Sequence, residues 1–119
     1  MKQLIGLALI IFFGIRLNAQ SGCLPNFSVD SFEIELKKIK LYDFDQAKKE
    51  SIEALLNYCL TSLQVKHILK ELSFEEDKLE LAKKAYSQVS DPSKFNIIKV
   101  IFDFEASKKE IDSIMRSKK

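Results

Sequence analysis

The sequence predicts an all-α protein, a compact bundle of about six short helices arranged as tandem helix pairs with a 30-residue period. Three observations predict this fold class. Helix-capping residue types recur at regular intervals, and the apolar residues between them follow a helical spacing. The chain also contains no Asn-Gly or Asp-Gly pair, the strongest short signal for a β-hairpin.

The 30-residue period is visible at one offset without gaps. Three triplets follow it: Asp43, Ser73 and Asp103; Phe44, Phe74 and Phe104; and Lys48, Lys78 and Lys108. Four pairs follow it in the second half of the unit: Thr61 with Asp91, Val65 with Phe95, Ile68 with Ile98, and Leu72 with Phe102. Self-similarity at a fixed period is typical of repeated structural units. We therefore expect Phe44, Phe74, Phe104, Ile68 and Ile98 to form the core of the repeat.

Local capping signals place the helix starts. The side-chain oxygens of five residues are predicted to accept backbone N–H groups as N-caps: Asp43, Thr61, Ser73, Asp91 and Asp103. Gln64 has the capping-box spacing from Thr61, and Pro92 occupies the first helical position after Asp91. Together with the apolar stripes, these caps predict helices over residues 31–40, 44–58, 62–71, 74–89, 92–101 and 104–116.

The N-terminus has the three parts of a secretory signal: Lys2, the apolar run Leu4–Ile15, and the small residue Ala19 at its exit. A membrane-spanning helix needs roughly 20 apolar residues, so this run is too short to be one. We predict a signal peptide over 1–19, a loop over 20–29 and a single helical domain over 30–117. The mature protein is then periplasmic or extracellular, with no transmembrane span; a retained short anchor is the alternative.

Export bears on Cys23 and Cys59, the two cysteines of the chain. Disulfides persist in oxidising compartments, and the two residues are predicted to form one across a separation of 36 residues. One free buried thiol, with the other cysteine exposed, is an alternative. Lipidation of Cys23 is another, since Gly22 precedes it, although Gln20 does not fit a lipoprotein signal.

Charge excludes one class of partner. Loss of residues 1–19 removes Lys2 and Arg16 from the 19 basic residues, which leaves 17 basic and 17 acidic side chains. Phosphate contacts dominate nucleic-acid affinity, and a balanced surface offers them no general attraction. No nucleic-acid partner is expected.

Candidate chemistry is limited to His67, the only histidine, and Glu71 one helical turn later. They could act as a general acid–base pair or share a metal ligand, as in a small hydrolase-like or metal-assisted enzyme. A solvated His–Glu pair is the alternative, because the sequence implies no nucleophile or second ligand nearby. Glycine-rich phosphate loops and paired zinc cysteines are absent from the sequence. We predict no catalytic residue, no metal and no cofactor.

A family resemblance covers roughly residues 28 to 116. The residues that carry it are Thr61-Ser62, Gln64-Val65, Phe74-Glu75, Asp77-Lys78-Leu79, Ala82-Lys83, Ala85-Tyr86, Asp91, Phe102, Phe104 and Ser107. In this spacing the chain resembles the helical domain catalogued as domain-of-unknown-function family 4476. The resemblance implies an exported helical domain without assigned catalytic residues. It also implies Asn-Tyr where this chain has Lys94-Phe95, which leaves aromatic packing but no tyrosine hydroxyl at that position.

These observations favour a non-enzymatic binding or interaction module whose partner is an unknown protein or envelope component. The surfaces of helical repeats commonly serve as interaction platforms. A lipid-anchored envelope protein and an enzyme using His67 with Glu71 are the alternatives from other classes.

Overall fold

The computed structural model describes residues 23–25 and 27–117. These residues form five α-helices and one 3₁₀ helix: α1 (Val29–Leu41), α2 (Asp45–Leu55), α3 (Ser62–Leu69), α4 (Glu75–Tyr86), the 3₁₀ helix (Pro92–Ile101) and α5 (Glu105–Ser117). The all-α fold class is therefore confirmed. The predicted signal peptide lies outside the described residues. Within those residues, no helix combines the length and the apolar character needed to cross a bilayer.

The main packing contacts join both successive and alternate helices of the chain. α1 lies against α2 and α3, α3 lies against α4 and most extensively against the 3₁₀ helix, and α5 contacts both α4 and the 3₁₀ helix. One hydrophobic core runs through all six elements, from Phe32 on α1 to Ile111 on α5. Packing between helices that are close along the chain and joined by short connections is typical of helical bundles.

The predicted helix over 92–101 has the expected bounds but is a 3₁₀ helix. Phe95, Ile98 and Ile101 are three residues apart, and a 3₁₀ helix has three residues per turn, so the three side chains align on one face. Phe95 and Ile98 have no exposed surface. Over ten residues, an apolar pattern fits periods of 3.0 and 3.6 almost equally well, which is why the sequence did not separate the two helix types.

Of the five residues predicted to form the core of the repeat, the structure places the two isoleucines in the hydrophobic core and the three phenylalanines outside it. Ile68 and Ile98 are fully buried, whereas Phe44, Phe74 and Phe104 are 76%, 61% and 62% exposed. Phe44 and Phe74 are the N-cap residues of α2 and α4, with extended backbone angles. In this conformation their side chains leave the helix stripe that faces the core.

The predicted cap at Thr61 is present as a complete capping box. Thr61 Oγ1 accepts from the Gln64 backbone N–H at 3.1 Å, and Gln64 Oε1 accepts from the Thr61 backbone N–H at 2.9 Å. Both partners lie within one turn, so local sequence was sufficient to predict this contact.

Replacing Thr61 with alanine is expected to lower the free energy of unfolding by about 1 kcal/mol, because a backbone N–H at the start of α3 loses its acceptor. Urea unfolding followed by circular dichroism measures the change. Thr61→Ser keeps the hydroxyl and is expected to stay close to wild type. Equal losses in the two variants would show that the threonine methyl group, not the cap, stabilises the helix.

The predicted caps at Asp43, Ser73 and Asp103 are wrong. The helices begin two residues later, at Asp45, Glu75 and Glu105. For α2 and α4, the residue in the N-cap position is a phenylalanine that makes no side-chain capping bond. The backbone N–H groups of Ser73 and Asp103 instead donate to the carboxylates of Asp45 and Glu75, which begin the helices two elements earlier in the chain.

Asp91 stands at its predicted place before the 3₁₀ helix but makes no side-chain capping bond to that helix. Its Oδ1 accepts from the Ser62 backbone N–H at 2.7 Å, and its carbonyl oxygen accepts from Ser62 Oγ at 3.1 Å. Ser62 is the first residue of α3 and is fully buried. Asp91 therefore supplies an acceptor to α3 and fastens the start of the 3₁₀ helix to it.

The disulfide between Cys23 and Cys59 is present. Two backbone hydrogen bonds accompany it: Leu24 N donates to Asn57 O at 2.7 Å, and Cys59 N donates to Leu24 O at 2.9 Å. The segment before α1 is therefore tied to the chain that follows α2. Lipidation at Cys23 would require the sulfur atom that is bonded to Cys59.

Candidate functional site

Two carboxylates connect the starts of alternate helices along the chain: α2 to α4, and α4 to α5 across the intervening 3₁₀ helix. Asp45, the first residue of α2, accepts from Ser73 N at 2.8 Å and from Ser73 Oγ at 3.1 Å. Glu75, the first residue of α4, accepts from Asp103 N at 2.8 Å and from Ser107 Oγ at 2.5 Å. The starts of α2, α4 and α5 are thereby held side by side along one edge of the molecule.

Two lysines make a second contact that recurs with the same offset. Lys48 Nζ donates to Glu71 O at 3.4 Å, and Lys78 Nζ donates to Ile101 O at 3.1 Å. Each amino group thus reaches a backbone carbonyl at or just after the end of the helix that follows its own in the chain. Two of the three lysines that recur with the 30-residue period, Lys48 and Lys78, are therefore engaged within the protein.

The edge carries the exposed phenylalanines. Because Phe44 precedes Asp45 and Phe74 follows Ser73, the Asp45–Ser73 contact brings these two rings to neighbouring helix starts. Phe74 and Phe104 line one common groove between α4 and α5. We call the three residues Phe44, Phe74 and Phe104 the Phe edge.

The α4–α5 groove has a volume of about 540 Å³. Both rings contribute apolar surface, and the other lining residues are mostly polar or acidic. The lining consists of Ser73, Phe74, Glu75, Glu76, Leu79, Asp103, Phe104 and Ser107. A groove of this size accommodates one or two side chains of a partner, and it combines two aromatic rings with several polar and acidic groups.

The carboxylate of Glu75 joins the start of α4 to the start of α5 within the groove. Burial alone raises the pKa of its carboxyl, but hydrogen bonds from Ser107 and from the backbone N–H groups of Asp103 and Phe104 outweigh that effect, and the pKa lies below its ordinary value. Glu75 is therefore ionised at neutral pH. Sequence analysis missed this residue because its partners lie about thirty positions away.

Glu75 is expected to contribute to the pH dependence of stability. A carboxyl whose native pKa is lowered stabilises the fold above its ordinary pKa, and this contribution is lost as the pH falls through the lower native value. Glu75→Gln should therefore lose less stability on acidification from neutral pH to about pH 3 than wild type does. Urea unfolding across this range measures it, with Glu76→Gln, an exposed neighbour, as the matched control. Parallel pH profiles for wild type and Glu75→Gln would contradict the assignment.

A second groove, between α3 and the 3₁₀ helix, has a volume of about 450 Å³. It is lined by Thr61, Leu63, Asp91, Ser93, Lys94, Asn96 and Ile97. Thr61 and Asp91 are engaged in the contacts that start α3, so their oxygens already have partners within the fold. The oxygens of Thr61 and Asp91 therefore serve the packing of α3 in this groove, and we do not assign a binding site to it.

His67 and Glu71 do not form a joint site among the hydrogen bonds of the described residues. Burial lowers the pKa of His67, and the positive charges of Lys66 and Lys70 lower it further, against an opposing effect of Glu33. The imidazole is thus neutral at pH 7. Within 23–25 and 27–117, no group of three or more His, Cys, Asp and Glu side chains is arranged to hold a metal ion.

Comparison with known proteins gives a family and no assigned activity. No curated protein and no solved structure matches the chain. The model of one protein family, described as "Domain of unknown function (DUF4476)", matches residues 26–115. This match spans all six helices and both sides of the α4–α5 groove. The chain therefore belongs to the DUF4476 family of domains of unknown function.

Proposed function

We propose that the protein is an exported, non-enzymatic helical module that binds another protein or an envelope component through the Phe edge. The observation that carries the proposal is the exposure of Phe44, Phe74 and Phe104 at three neighbouring helix starts. Burying one phenylalanine contributes roughly 1.5–3 kcal/mol to stability, so the fold forgoes that contribution three times. Single exposed apolar residues are common, but repeated aromatic exposure on one edge is typical of an interaction surface.

The contacts beneath the edge support a preformed surface. The Asp45–Ser73 and Glu75–Asp103 hydrogen bonds hold the helix starts that carry the rings. A surface fixed before binding loses less conformational entropy when a partner docks. Aromatic residues with few rotatable bonds are also enriched in the residues that dominate binding energies at interfaces.

The Cys23–Cys59 disulfide supports the exported location. Disulfides persist in oxidising compartments such as the periplasm and the extracellular space. An exported module with an aromatic edge would meet partners in or beyond the cell envelope. Analysis of the mature N-terminus by mass spectrometry tests the location: cleavage after Ala19 supports it, and an intact Met1 in the processed protein contradicts it.

Site-specific photocrosslinking in the producing cell tests the edge itself. A benzoylphenylalanine at Phe44, Phe74 or Phe104 is expected to capture the same partner from at least two of the three positions. The same probe at Val29 or Ile34, which are 68% and 55% exposed on α1, is the matched control. Capture from α1 at equal yield, or no capture from the edge, would overturn the proposal. Circular dichroism of each variant checks that the fold is retained.

A further inference from the structure

The α4–α5 groove is negatively charged. Three of its lining residues are acidic, namely Glu75, Glu76 and Asp103, and none of its lining residues is basic. Two lysines lie nearby: Lys78 acts electrostatically on Glu75 while its Nζ donates to Ile101 O at 3.1 Å, and Lys108 pairs with Glu105 at 3.4 Å. The groove therefore offers carboxylates to a ligand without a cation of its own in the lining.

The helix starts reduce this charge without reversing it. The N-terminus of a helix carries a partial charge of roughly +0.5, and α4 and α5 both begin at the groove. The two dipoles together offset about one of the three negative charges, and Lys78 offsets part of the charge of Glu75. A net negative potential remains, and Glu75 uses its carboxylate to hold the two helix starts together.

The two exposed rings complement a positive charge in another way. Aromatic faces carry negative electrostatic potential, and they attract a guanidinium or ammonium group placed over them. Phe74 and Phe104 line the same groove as Glu76 and Asp103. An arginine side chain between the rings would thus stack its planar group on an aromatic face while its N–H groups face carboxylate oxygens.

We infer that the α4–α5 groove binds a basic, extended peptide segment of the partner, with an arginine or lysine side chain inserted between Phe74 and Phe104. This inference rests on the proposed function and names the chemistry of its partner. Glu76 and Asp103 are exposed and make no hydrogen bond through their side chains within the described contacts, so both are available to an incoming cation. Glu75 fixes the spacing of the two walls.

Fluorescence anisotropy with defined peptides tests the inference. The probe is a fluorescein-labelled decapeptide of alternating glycine and arginine, and the comparison peptides replace arginine with glutamine or glutamate. The disulfide-bonded mature protein is expected to bind the arginine peptide at least tenfold more tightly than either comparison peptide. Raising the salt concentration should weaken binding, because ion pairs at an exposed groove are screened.

Paired variants separate the groove from the rest of the surface. Phe74→Ser/Phe104→Ser and Glu76→Gln/Asp103→Asn should each weaken binding of the arginine peptide at least tenfold. The matched controls, Val29→Ser/Ile34→Ser and Asp30→Asn/Glu33→Gln on α1, should change it less than twofold. Thermal unfolding of every variant verifies that the fold persists.

The outcomes also separate this inference from the proposed function. If the arginine peptide does not bind, or if the α1 controls weaken it as much as the groove variants, the inference is overturned. Photocrosslinks from the Phe edge would still support a binding module in that case, with a partner of different chemistry. Absence of both peptide binding and edge crosslinks would overturn both.

Discussion

Removing the disulfide with Cys23→Ser/Cys59→Ser is expected to lower the free energy of unfolding by about 3–4 kcal/mol. The bond closes a separation of 36 residues, and that cross-link restricts the unfolded chain. Domains of this size are stable by only about 5–15 kcal/mol, so the loss is a large share of the total. The N-terminal segment would then be held by two backbone hydrogen bonds at Leu24 and by the stacking of Phe27 on Tyr58.

Urea unfolding of the oxidised protein, the reduced protein and the double serine variant measures the effect. Reduced wild type and the serine variant should have similar midpoints, both well below that of the oxidised protein. Leu24→Ala, which removes a 50% exposed side chain and keeps the backbone bonds, is the matched control and should stay near wild type. Equal stability of the oxidised and reduced proteins would contradict the prediction.

The fold could be predicted because most of its determinants are local. The two partners of the Thr61–Gln64 capping box are only three positions apart, and the buried Ile68 follows within the same helix. Local rules of this kind need only the residue types and their spacing. The disulfide could be predicted from the expected oxidising compartment and from the presence of two cysteines, without any three-dimensional information.

The predicted caps failed where long-range contacts compete with local ones. A local rule predicts that the Ser73 side chain caps the helix that follows it. In the structure, Ser73 Oγ instead donates to Asp45 Oδ1 at 3.1 Å. Glu75 makes the corresponding contact with Asp103 thirty residues further on. The 30-residue offset was visible in the sequence, but sequence alone did not show that acids of one unit bind the backbone of the next. These two contacts recur with the 30-residue offset. That the helix pairs are tandem repeats stays a prediction.

The sequence showed that Phe44, Phe74 and Phe104 recur at one position, but we expected them in the core and they are exposed. Three phenylalanines at one repeat position indicate a common environment, and apolar character alone favours the core. Phe44 and Phe74, however, are N-cap residues with an extended backbone, and all three side chains lie outside the core. Glu75 and Ser107, which build the groove, gave no local signal at all, because 32 residues separate them.

Phe95→Ala is expected to lower the free energy of unfolding by about 3–5 kcal/mol, whereas Phe104→Ala should change it by less than about 0.5 kcal/mol. Phe95 has no exposed surface, and its ring lies 5.1 Å from that of Tyr86. The alanine variant leaves a cavity between α4 and the 3₁₀ helix, since the surrounding core can relax only in part. Phe104 is 62% exposed, so its truncation removes little buried area.

The same pair of variants should separate stability from binding. Phe95→Ala is expected to weaken the fold while leaving the Phe edge in place at temperatures where the variant remains folded. Phe104→Ala is expected to keep wild-type stability and to weaken partner capture, because the ring faces solvent until a partner covers it. Urea unfolding and photocrosslinking from Phe44 measure the two effects on the same proteins. Comparable destabilisation by both substitutions would mean that Phe104 packs into the core. Phe104 would then no longer be an exposed residue of the Phe edge.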